Sequence, residues 1–65
     1  MIEDAVIDCI DLSDTKYTIK ELAEYIGTEM DEIPETVEAI IREMLEQDRL
    51  ALTRSEDGDM VLVVA

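Results

Sequence analysis

Sixty-five residues and 7.4 kDa allow one domain, since single cores usually hold about 50 to 200 residues, and 48% hydrophobic residues are too many for a disordered acidic tail. Eighteen Asp and Glu against five Lys and Arg give a formal charge of −13, when small soluble domains typically carry a magnitude of about 2 to 8. With no His and one Cys, the usual transition-metal site lacks its ligands and a Ser or Cys nucleophile lacks its customary base, so the chain reads as a non-enzyme with no catalytic, metal or cofactor-binding residue.

In chain order, the first expected element is a helix over about 1–12. Ile2, Ala5, Val6, Cys9 and Ile10 recur at helical spacing, while Glu3, Asp4 and Asp8 lie off that stripe. Cys9 on that stripe reads as a small buried hydrophobe. Asp11, Ser13, Asp14 and Thr15 then end the helix near Leu12, because short polar side chains compete with the helical backbone.

A capping box opens the second helix, over about 18–27. Thr18 is placed to accept from the amide three residues on, and Glu21 to reach back. Ile19, Leu22, Ala23 and Ile26 keep helical spacing, and Gly27 stands where a left-handed cap would end the helix. Asp31 reads as the N-cap of a third helix over about 32–48, with Pro34 in its first turn. Val37, Ile40, Ile41, Met44 and Leu45 form its apolar stripe.

The period then changes. Leu50 to Arg54 and Met60 to Ala65 flank an Asp57-Gly58 pair, the signature of a β-hairpin over about 50–65. A two-residue loop at Asp57 and Gly58 would pair Leu52 with Val63 and Thr53 with Leu62. The Asp57-Gly58-Asp59 run lacks the spaced ligands of a calcium loop and is read as a turn. Met60 to Val64 is an apolar strand that is either buried against the helices or extended by a partner, so a homodimer through it remains open.

This order resembles a winged helix-turn-helix. Tyr17-Thr18-Ile19-Lys20-Glu21-Leu22-Ala23-Glu24-Tyr25-Ile26-Gly27 is similar to the family's "ti.eLA..lg" segment, and Glu35 to Leu45 to its "stv...l..L" recognition helix. Two departures stand out: the turn from Gly27 to Thr36 is about four residues longer than in the tightest members, and Asp48-Arg49 replaces the usual Gly after the third helix. The resemblance implies an α+β fold of three helices with a C-terminal hairpin wing, as a single domain over 1–65. It also implies DNA binding by the third helix and the wing.

The charges oppose that inherited function. Residues 29–48 hold eight acids and one base, Arg42, a charge of −7 on the element meant to enter the groove. DNA affinity comes largely from cations that neutralise phosphates. The leading expectation is therefore an acidic module that binds a basic, nucleic-acid-binding partner, with Glu35, Glu38, Glu43, Glu46, Glu3, Asp4 and Asp8 imitating phosphates. In size and charge the chain is similar to small acidic phage proteins that inhibit restriction or CRISPR complexes. The alternative is a DNA-binding transcriptional regulator, with acidity owed to a high-salt host and contacts from Arg42, Arg49 and Arg54; these arginines equally suit pairing with nearby acids.

No apolar run approaches the roughly 20 residues of a membrane span, and Met1-Ile2-Glu3-Asp4 is acidic where a secretory signal is basic. The expected location is cytoplasmic, with no membrane partner.

Overall fold

The computed structural model describes residues 1–65. Three helices, α1 (Ile2–Leu12), α2 (Ile19–Met30) and α3 (Pro34–Glu46), precede strands β1 (Leu50–Arg54) and β2 (Met60–Val64). The strands pair antiparallel as a two-stranded sheet. This is an α+β arrangement of three helices and a C-terminal hairpin, consistent with a winged-helix-like fold.

Helix α1 ends as its sequence dictates, with Ser13 extended beyond Leu12. The capping box of α2 forms in full: the Glu21 amide donates to Thr18 Oγ1 at 3.1 Å, and the Thr18 amide donates to Glu21 Oε1 at 3.0 Å. These bonds satisfy two of the four amides that a helix start leaves open.

The end of α2 corrects the sequence reading. Gly27 is not its cap; the helix runs one turn further and closes at Asp31, whose φ of 56° is left-handed. The amide of Glu32 folds back to the Gly27 carbonyl at 2.8 Å. A Cβ on Gly27 would stand 2.9 Å from the Glu32 carbonyl oxygen and 3.5 Å from Pro34. Glycine is needed here for close approach of a second backbone, not for a positive φ.

Asp31 therefore ends α2 and does not cap α3. The N-cap of α3 is Ile33, with Pro34 at the first helical position, where its missing N–H costs nothing. The long turn expected between Gly27 and Thr36 is absorbed by both helices, leaving only residues 31–33 between them. At the far end α3 closes at Gln47, within the expected bound. The Asp48 amide donates to Leu45 O at 3.1 Å and the Arg49 amide to Met44 O at 2.9 Å. This is a Schellman closure, in which Asp48, at φ 59°, fills glycine's usual left-handed place.

The hairpin register also differs from expectation, by one residue. Leu52 pairs with Leu62 and Thr53 with Val61, not with Val63 and Leu62. Gly58 donates to Ser55 O at 3.0 Å, and the Ser55 amide donates to Asp59 O at 2.8 Å. Gly58, at φ 90°, is thus the extra residue after a turn that starts at Ser55. The three-residue loop with a glycine bulge wins over the two-residue loop. The Asp59 amide reinforces it by donating to Ser55 Oγ at 3.2 Å.

One core joins all elements: Val6 and Ile10 of α1, Leu22, Ala23 and Ile26 of α2, Val37, Ile41 and Met44 of α3, and Leu50 and Leu62 of the hairpin. Consecutive residues Val61 and Leu62 are both buried, although they point to opposite faces of β2. The Leu62 amide donates to Tyr17 O at 2.8 Å. The segment before α2 is thereby tied to the strand edge that a second chain would need for pairing.

Candidate functional site

The acidic surface is built by helical spacing. On α3 the buried side chains Val37, Ile41 and Met44 fix the inner face. At about 100° per residue, Glu35 and Glu46 then fall on the outward line with exposed Ala39, and Glu43 lies to one flank. Glu38 lies on the other flank, half-buried beside the core stripe.

Glu38 and Arg42 neutralise each other. Arg42 donates to Glu38 Oε2 from Nη2 at 3.0 Å and from Nε at 3.2 Å. This i,i+4 pair is the only ion pair within 4 Å in the chain. Two of the residues singled out in sequence, one as a partner-facing acid and one as a DNA-facing base, thus answer one another. Arg49 and Arg54 are exposed and have no carboxylate within that distance. Glu43 accepts a bond from Gln47 Nε2 at 3.3 Å, and Glu35 and Glu46 have no partner.

On α1, Val6 and Ile10 are buried, which turns Asp4 and Asp8 outward. Asp11 joins them on the same exposed face, a residue the apolar pattern placed only as a helix terminator. Glu3 departs from this ridge: it is half-buried on the flank nearer the core. The α1 and α3 ridges both point away from the shared core.

Helix ends favour some of these acids and not others: Glu3, Asp4 and Glu35 stand in first turns, where anions complement the helix dipole. No helix has a basic residue in its last turn, although cations there complement the helix dipole and anions there cost about 0.3 to 1 kcal/mol. Asp11, Glu29, Glu43 and Glu46 occupy those unfavourable turns.

Beside the ridges lies a groove of about 510 Å³ between α1 and α2. Its walls are Cys9 and Leu12 from α1, Ile26 and Met30 from α2, and both tyrosines, with Asp8 and Glu29 at the rim. Cys9, expected in the core, is half-buried on this wall. The rings of Tyr17 and Tyr25 stack at 6.0 Å and 15°. The charge of Glu29, one turn along, raises the Tyr25 phenol above its ordinary value. The sequence reading missed this groove; its signal was that neither tyrosine falls on a helical core stripe.

No family model, curated protein or solved structure matches the chain. Function therefore rests on the side chains themselves. No group of three His, Cys, Asp or Glu residues is arranged to hold a metal ion, and no helix is long and apolar enough to cross a membrane.

The unpaired carboxylates predict a salt response. The domain measures 31 × 22 × 20 Å, so at 0.01 M salt, where the Debye length is about 30 Å, each carboxylate repels nearly all the others. At 0.5 M that length falls to about 4 Å and only neighbours interact. The melting temperature is expected to rise across this range, measured by circular dichroism. A flat profile would mean that the repulsion is offset by pairing absent from this structure.

Proposed function

We propose that the domain is a non-catalytic interaction module that presents carboxylates in place of nucleic-acid phosphates to a basic, nucleic-acid-binding protein, and so blocks that surface. The observation that carries this reading is that eighteen acids share one ion pair. A surface organised for the stability of the isolated domain would pair or disperse them. Unpaired carboxylates on the exposed faces of α1 and α3 instead leave a field that speeds encounter with cationic surfaces and repels anionic ones.

The same field disfavours duplex DNA as the ligand. Arg42 is engaged by Glu38, and Glu35, Glu43 and Glu46 surround it on α3. In a fluorescence anisotropy titration at physiological salt the domain is expected to bind duplex DNA no more tightly than about 10⁻⁴ M, the weak end of nonspecific affinity. Micromolar affinity lost on Arg54→Ala would establish the transcription-regulator reading in its place.

The direct test uses the partner captured from the native host, with stopped-flow kinetics at two salt concentrations. Glu35, Glu43 and Glu46 replaced together by Gln keep length and helix propensity, and none is in the core. Glu38 is left alone, since removing it would release Arg42. The triple variant is expected to associate roughly threefold to tenfold more slowly at low salt, with a shallower salt dependence. An unchanged on-rate in a folded variant would remove the α3 ridge from the interface.

A further inference from the structure

We propose that the groove between α1 and α2 is a docking site for a basic amphipathic helix of the partner, with an apolar side chain seated between Leu12 and Met30 and an Arg or Lys laid over Tyr25. This rests on the reading of the domain as a module for basic proteins, and adds an anchor to it. The ridges steer by charge; the groove holds by shape.

The first support is where the aromatic residues are. The chain has two tyrosines and no Phe or Trp, and both tyrosines line this groove while neither belongs to the buried core. Aromatic side chains supply large buried area at low entropic cost and dominate interface energetics. Here Tyr25 is 46% exposed, Met30 38% and Leu12 86%, and together they line one depression.

The second support is the charge at the rim. Asp8 on α1 and Glu29 on α2 stand at the two sides of the groove. A guanidinium or ammonium over the Tyr25 ring would gain the attraction of the aromatic face together with that of carboxylates. The Tyr25 hydroxyl adds a hydrogen-bond donor or acceptor at the same place.

Charge also selects among occupants. Nucleic acid and anionic membrane are repelled by a chain of −13, and a second copy would bring the same acidic rim against this one. A segment with apolar residues at helical spacing and Lys or Arg between them satisfies both the walls and the rim. The site is separate from the α3 ridge. Gly27 faces Pro34 at the start of α3, and Tyr25 and Glu29 lie roughly 160 to 200° around α2 from Gly27.

The test uses three synthetic 15-residue peptides: one with Leu at helical i, i+3, i+4 and i+7 spacing and Lys and Arg elsewhere, a scramble of the same composition without an apolar face, and an all-Arg peptide. Binding is followed by anisotropy and by amide shifts in heteronuclear NMR spectra of the full chain. The amphipathic peptide is expected to bind at least tenfold more tightly than the scramble, shifting Cys9, Leu12, Tyr25 and Met30. Tyr25→Ala and, separately, Leu12→Ser should each remove most of that advantage, and Leu12→Ser should leave the all-Arg peptide unaffected; Leu12, the more exposed, serves as the variant least able to disturb folding.

Equal binding of amphipathic and scrambled peptides, with shifts confined to the α1 and α3 ridges, would overturn the groove and keep the charge-based reading. Failure of all three peptides to bind would overturn both. Self-association in sedimentation equilibrium with the groove signals broadened would make a second copy the occupant and overturn the proposal.

Discussion

Leu62→Asp is expected to unfold the domain. Leu62 is fully buried in the cluster that joins the hairpin to all three helices. The substitution forfeits roughly 1.5 to 3 kcal/mol of side-chain burial and adds an uncompensated buried carboxylate, which costs several kcal/mol more. Total stability at about 0.05 to 0.15 kcal/mol per residue is roughly 3 to 10 kcal/mol for a chain of this length. The loss is comparable to the whole. Circular dichroism at 25 °C should show a largely unfolded chain, and Leu62→Ala, at about 2 to 5 kcal/mol, a sharply lowered melting temperature. Leu52→Asp is the control, because Leu52 sits directly across the hairpin yet is 40% exposed. It should cost less than about 1 kcal/mol. A folded Leu62→Asp variant would mean that β2 does not dock on the helices.

Gly27→Ala is expected to lower the melting temperature, against the usual sign. In a helix interior, replacing glycine by alanine normally stabilises by about 1 kcal/mol. At Gly27 the added methyl would meet a backbone oxygen, Glu32 O, at 2.9 Å. That oxygen belongs to a residue whose own amide is bonded to the Gly27 carbonyl at 2.8 Å, so it cannot withdraw without breaking the turn. Overpacking of this kind costs about 1 to 3 kcal/mol, and losing the Glu32 bond adds about 1. The cost exceeds the gain by about 1 to 3 kcal/mol. At about 4 to 8 °C per kcal/mol for domains of this size, the melting temperature should fall by roughly 5 to 20 °C. A rise would show that residues 31–33 do not lie against α2.

Both variants concern the scaffold; some of the acids, by contrast, sit where their helices gain nothing from them. Asp31 and Asp48 hold left-handed positions that glycine occupies at less cost. Acids also fill the last turns of all three helices. Among these costs, only the repulsion between unpaired acids is screened by added salt, which should therefore stabilise the chain without any change in the core.

By itself the sequence determined the element order, the inner face of each helix and the start of α2. These depend on local periodicity and on the Thr18–Glu21 reciprocity, interactions that span four residues or fewer. It also located most of the acidic surface, since exposure on a helix follows from the apolar stripe opposite. Tertiary structure alone decided what lay beyond that range. Gly27 looked like a helix end because glycine favours both a left-handed cap and a close approach, and only the position of Glu32 O distinguishes them. The hairpin slipped by one residue because Asp-Gly serves either a two-residue turn or a bulged loop, and Ser55 supplied the bonds that chose the latter. Arg42 was tied to Glu38 by a rotamer choice that spacing permits but does not compel. The groove was invisible for a related reason: Tyr17 lies before α2 and Tyr25 within it, and they meet α1 only when the helices pack. Periodicity fixes which way a side chain points from its own helix, and packing fixes what stands opposite it.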